Sequence, residues 1–141
     1  MRVWIPALIV VLLGVSACGD SPTSPSDSSA TVAPVTEVFA GTLLTGGTSF
    51  FSFAVSQAGS VKVMLATTTT ESGLPLAPAL KLGVGVPAGL GCGVTTSVTA
   101  TAALASQIST SLSAGTYCVD ISDPGNSLKQ TVSFNIRIVH P

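Results

Sequence analysis

The sequence predicts an all-β protein: a jelly-roll-like antiparallel β-sandwich of about seven or eight strands, behind a signal peptide and a disordered linker. Three observations predict it. From Val35 onward, apolar residues recur at every second position, the period of a half-buried strand. Clusters of Gly, Pro, Asn and Asp cut that region into strand-length pieces. Only 8% of the residues are charged, against about 25% in ordinary soluble domains. Thr, Ser, Ala, Gly and Val fill the gap, and β-branched residues among them suit a pleated surface.

The chain divides into three parts: 1–17, 18–34 and 35–141. The first is a secretory signal. Arg2 supplies its positive charge, Ile5 to Val15 its apolar run, and small residues lead into Cys18. The apolar run is short for a bilayer-spanning helix. Val15-Ser16-Ala17-Cys18 resembles the bacterial lipobox, in which the Cys receives a diacylglyceryl group and cleavage falls just before it. That resemblance implies a mature protein beginning at a lipidated Cys18 and held to a membrane by its acyl chains. An ordinary signal, cut at or beyond Ala17, and a retained transmembrane anchor are the other readings. Gly19 rather than an acid follows the Cys, which favours the outer membrane of the cell envelope.

Gly19 to Pro34 is Ser, Pro, Thr and Asp with almost nothing apolar to bury, so it reads as a disordered tether. Stretched toward polyproline II, it would reach about 50 Å at ~3.1 Å per residue.

The strands follow in order. Phe39, Gly41 and Leu43 alternate with polar or small neighbours, and the Gly46-Gly47 turn follows. Phe51, Phe53 and Val55 come next, then Val61, Val63 and Leu65, after the Ala58-Gly59 turn. Thr67 to Thr70 end that strand and begin a loop. Leu80, Leu82, Val84 and Val86 form another apolar row, as do Val132, Phe134, Ile136 and Ile138. Two further strands are expected near residues 95–102 and 106–112, although Ala102 to Ala105 would also suit a short helix. A strand over residues 116–122 is left through Asp123-Pro124-Gly125-Asn126, a strong turn signal. Two sheets facing each other would bury the apolar rows.

With Cys18 lipidated, Cys92 and Cys118 remain as a pair, in an exported chain where a disulfide persists. Their wide spacing is unlike a C-x-x-C redox pair. Cys118 lies between Tyr117 and Val119, so the bridge is expected on the outer side of its sheet or at an edge.

Taken together, Phe39-Ala40-Gly41-Thr42-Leu43, Phe51-Ser52-Phe53-Ala54-Val55, Ala58-Gly59-Ser60-Val61-Lys62-Val63, Leu80-Lys81-Leu82 and Ser113-Ala114-Gly115-Thr116-Tyr117-Cys118-Val119-Asp120-Ile121 resemble the bacterial pre-peptidase C-terminal domain. With the closing strand from Thr131 to Val139, the resemblance covers nearly all of residues 35–141. It implies a β-sandwich module of the kind often found beside secreted peptidases. The chain departs from the family at Gly46-Gly47-Thr48-Ser49, where an acid is usual, and no counterpart exists for Gly89 to Thr101. The missing acid weakens any inherited calcium site.

Chemistry has few carriers. The only His is His140, read as a solvated or strand-end residue, and no G-x-S-x-G elbow accompanies it. The acids of the domain are Glu37, Glu71, Asp120 and Asp123. Asp120, Asp123 and the Asn126 carbonyl are weak candidates for calcium, which takes six or more oxygens; Asp123 reads first as a turn former. No metal or cofactor is expected. Gly83-x-Gly85-x-x-Ala88 lacks the helix that a dinucleotide site needs. A formal net charge of -1 and scattered Lys and Arg exclude a nucleic-acid footprint. Phe50 has the parity of an exposed residue. The expectation is a lipid-anchored envelope lipoprotein that makes surface or protein contacts without catalysis. A carbohydrate-binding module is the alternative; an enzyme, or a partner of a separate secreted protease, stands behind both.

Overall fold

The computed structural model describes residues 32–141; the signal segment, Cys18 and the linker up to residue 31 lie outside them. Eight strands follow one another: β1 (Val35–Leu43), β2 (Thr48–Val55), β3 (Gly59–Thr69), β4 (Leu80–Ala88), β5 (Gly91–Ala100), β6 (Ile108–Leu112), β7 (Gly115–Ser122) and β8 (Val132–His140). They form two four-stranded sheets, in the orders β1-β8-β3-β6 and β2-β7-β4-β5. All pairings are antiparallel. These orders are those of a jelly roll. Only β4 and β5 form a hairpin within one sheet; every other connection crosses from one layer to the other.

The alternation read from the sequence is what closes the two layers. Val61, Val63, Leu65, Val132, Phe134, Ile136 and Ile138 face inward from the first sheet. Phe53, Val55, Leu80, Leu82, Val84, Val119 and Ile121 meet them from the second. At the open side, Phe39 stacks on Phe51 with ring centroids 5.1 Å apart, and Phe51 meets Phe134 edge-on at 6.1 Å. Gly41 lies under that cluster. A Cβ there would sit 2.9 Å from the Phe134 ring, so the glycine makes room for the larger side chain.

The structure corrects several details. Val86 continues the apolar row of β4 but is 47% exposed. The reason is topological: β7 pairs with β4 only as far as Gly85, and beyond it β4 and β5 run on as a two-stranded ribbon. β5 starts at Gly91 rather than near residue 95, because that ribbon keeps it paired. Ala102 to Ala105 form no helix; they belong to an irregular loop. β3 continues to Thr69 through a bulge between Leu65 and Thr67. The extra residue shifts the phase, so Thr68 points inward and its hydroxyl donates to the Leu76 carbonyl at 2.6 Å. Beyond Val63, where β6 pairing stops, Gln107 takes over. Its Oε1 accepts from the Leu65 N–H at 2.7 Å, and its amide donates to the Thr101 carbonyl.

Strand direction alternates along the chain, which sorts the connections between two ends. Val35 and Pro141 lie at one end, beside the β2–β3 and β6–β7 turns and the Gly89-Leu90 hairpin tip. The β1–β2, β3–β4, β5–β6 and β7–β8 loops gather at the other.

Candidate functional site

Two places concentrate polar groups: the outer face of the second sheet, and the four-loop end. The outer face follows from register. Directly opposed residues of an antiparallel pair share a face. One row across the sheet is therefore Phe50, Asp120, Gly83 and Ser97. The next row toward the four-loop end is Thr48, Ser122, Lys81 and Thr99; on the other side come Ser52, Cys118 and Gly85. The two central strands present the buried residues Cys118, Asp120, Ser122, Gly83 and Gly85. The flanking β2 keeps Thr48, Phe50 and Ser52 exposed, and β5 keeps Ser97 and Thr99 exposed. The strip of buried central residues between these exposed flanks is a trough in accessibility. Phe50, 40% exposed, forms one wall.

Asp120 lies in the floor of this trough, only 7% exposed. Among the described residues one group donates to it, the Ser122 hydroxyl, at a long 3.4 Å. Burial pushes its carboxyl above the ordinary value, against the weaker opposing pull of Ser122 and of the Lys81 charge. A nearly buried acid with a single long hydrogen bond is costly to the fold.

The Cys92–Cys118 disulfide closes one end of the trough. Cys118 points outward, as alternation requires, yet it is completely buried, because the start of β5 curls over the sheet to reach it. Gly85 makes this possible. A Cβ at Gly85 would collide with the backbone of Gly93, which lies directly on it. In the same way Val94 covers Gly83, whose Cβ would come within 2.7 Å of the valine. A Gly85→Ala chain should therefore fail to close the bridge. Thiol titration under denaturing conditions should find two free cysteines beyond Cys18; a fully oxidised pair would show that the curl tolerates a side chain.

At the four-loop end, Asp123 is the organiser. It is 1% exposed. Its Oδ1 accepts from the Ser127 N–H and hydroxyl at 2.8 and 2.7 Å. Its Oδ2 accepts from the N–H groups of Gly46 at 3.1 Å and Leu128 at 3.0 Å. Burial alone would raise its carboxyl. The Ser127 hydroxyl and the Leu128, Gly46 and Ser127 N–H groups outweigh that and hold it well below the usual carboxylate range. Asn126 sits in the left-handed region, φ 50°, with its side-chain oxygen against Gly46. Thr45 adds a bond from its hydroxyl to the Leu128 carbonyl. The β1–β2 and β7–β8 loops are thereby fastened together.

Of the three residues weighed for calcium, Asp123 thus has both oxygens committed to protein donors, and Asp120 faces the trough. Two cavities adjoin these loops. One of about 450 Å³ is polar, lined by Thr70, Glu71, Ser72, Gln130 and Thr131. The other, about 280 Å³, is walled by Leu76, Ala77, Pro78, Leu128 and Val132. Leu44, Leu74 and Leu104 stand exposed on three of the four loops.

His140 is at a strand end but is not solvated: it is 3% exposed, with its ring against Phe53. Nε2 lies 2.8 Å from Glu37 Oε1, and Nδ1 lies 2.9 Å from the Pro141 oxygen. Both ring nitrogens are occupied by oxygens, so the ring ties β8 to β1 and offers neither nitrogen to a serine. The parity of Phe50 was readable from the sequence; the buried state of Asp120 and of His140 was not, since both depend on strands distant in the chain. Among the described residues, no three of His, Cys, Asp and Glu come together as a metal site.

Neither models of known protein families nor curated protein sequences match the chain.

Proposed function

We infer that this chain is an envelope lipoprotein without a reaction of its own, whose β-sandwich acts by contact with a surface or a partner. In this reading residues 1–17 are removed, Cys18 carries the acyl chains, and residues 19–34 space the sandwich from the membrane. The sandwich itself acts as a module similar to the pre-peptidase C-terminal domain. One observation carries the reading. The chain enters the sandwich at the end where Val35 pairs with His140, so the tether joins there. The outer sheet faces and the four loops opposite, two of them fastened together through Asp123, remain clear of the point of attachment. Rigid loops on a β scaffold are a common way to present a contact surface.

Intact mass of the protein extracted from bacterial membranes tests the anchor. The expected mass lacks residues 1–17 and carries diacylglyceryl and further acyl groups on Cys18. A mass equal to the unmodified polypeptide, or a product found in the soluble fraction, overturns it. Cross-linking in the native envelope, followed by identification of the linked species, tests the contact role.

A further inference from the structure

We propose that the trough on the outer face of the second sheet binds a neutral saccharide, with the Phe50 ring stacking on a sugar face and the Asp120 carboxylate accepting sugar hydroxyls. This deepens the contact-module reading and rests on it.

The chemistry of the floor points to the ligand. Asp120 is 93% removed from solvent, since only 7% of it is exposed, yet Ser122 is its one protein donor among the described residues. Its second oxygen has no protein donor among the described residues and is not sealed from solvent, so it is free to accept from a ligand. Sugar hydroxyls are suitable donors. Directly across the ladder, one strand away, Phe50 holds an aromatic ring 40% in solvent on a face where most of the other residues are Ser, Thr and Gly. An apolar ring beside a hydrogen-bond acceptor matches the two aspects of a pyranose, its C–H face and its hydroxyl edge.

The surroundings narrow the class. On this face, Asp120 and Lys81 are the charged residues of the four strands, one of each sign. Their balance suits an uncharged ligand, and a carboxylate in the floor disfavours an acidic one. A peptide has less to gain here. The backbone groups of β7 and β4 are paired on both sides within the ladder, so the floor between the edge strands β2 and β5 offers a ligand side chains and no main-chain partners. The site is also built rather than loose. Val94 packs over Gly83, and the Cys92–Cys118 bridge pins β5 beside it.

The test uses the full chain in detergent, probed on an array of neutral oligosaccharides with β- and α-linked hexose, pentose and N-acetylhexosamine backbones, then by calorimetry with the best of them. At least one neutral glycan should bind. Phe50→Ala and Asp120→Asn should each weaken it about tenfold or more, the effect of losing one stacking or hydrogen-bond anchor. Lys129→Ala, at the four-loop end, should leave binding unchanged. Asp120→Asn keeps the shape of the residue, so its melting curve separates loss of binding from loss of fold. The absence of binding to any neutral glycan overturns the proposal. So does binding that both trough variants retain, or binding restricted to acidic glycans and abolished by salt. Lipid on Cys18, measured by mass on the same preparation, reports separately on the anchored-module reading.

Discussion

A chain with serine at both position 92 and position 118 should melt roughly 15–25 °C below the native protein. The bridge links residues 26 apart. Closing a loop of that size stabilises by about 3–4 kcal/mol in the chain-entropy picture, and in a domain of about 100 residues each kcal/mol moves the midpoint by about 4–8 °C. The loss should also be localised. β5 reaches Cys118 only by curling over Gly85, so without the bridge its first residues have less to hold them against the sheet. Hydrogen exchange should quicken from Gly91 to Val94 ahead of the core strands. Differential scanning calorimetry of the oxidised and double-serine proteins measures the first effect. Equal midpoints would mean that ladder pairing alone holds the ribbon, and that the bridge adds nothing to the fold. The single Cys92→Ser chain is the milder case, since a thiol at fully buried Cys118 tolerates its apolar site while the hydroxyl of the double variant there needs a hydrogen-bond partner.

The β-sandwich was legible because one property, apolar period 2, is both local and sufficient. Val132, Phe134, Ile136 and Ile138 are all buried, and so are Leu80, Leu82 and Val84. The pattern failed where β4 outruns the body of its own sheet. Val86 keeps the parity of its row but lies past the point where β7 stops. It failed again at Thr68, where a bulge resets the phase with no local sign in four successive threonines. The candidate site was legible only in parts. Phe50 had the right parity, and Asp123-Pro124-Gly125-Asn126 announced a turn. Nothing local announces that Asp123 would accept from Gly46, 77 positions earlier. Nor does the sequence show that Phe50, Asp120 and Gly83 would share one row, because the registers of β2 and β4 against β7 are set by the whole jelly roll. Cys118 was rightly read as outward, but its burial depends on a neighbouring strand that leaves its own line.

The two buried aspartates should respond to acid in opposite directions. Asp120 is raised by burial, so the folded state holds its proton at a pH where the unfolded chain has released it. Stability then falls as pH rises through that window, because the native form binds more protons. Asp123 is lowered, its carboxylate held by Ser127 and three backbone N–H groups. Its contribution is fully present above the unfolded aspartate value of about 3.9 and is lost as pH drops below it, toward the folded value. Urea midpoints of the native protein should therefore rise on acidification from neutral pH, and fall once the pH is below about 4. Two variants separate the terms. Asp120→Asn should remove the rise and leave the protein at least as stable at neutral pH, since it deletes a desolvated charge. Asp123→Asn should lower the melting point at neutral pH by about 10 °C. An amide turns an NH₂ group toward the N–H donors of the turn, and the β1–β2 and β7–β8 loops lose their shared tie. Its acid limb should be flatter than that of the native protein. If Asp120→Asn keeps the native rise, the group responsible is elsewhere. If Asp123→Asn melts with the native protein at pH 7, the four-loop end is held by Thr45 and the strand ends rather than by this carboxylate.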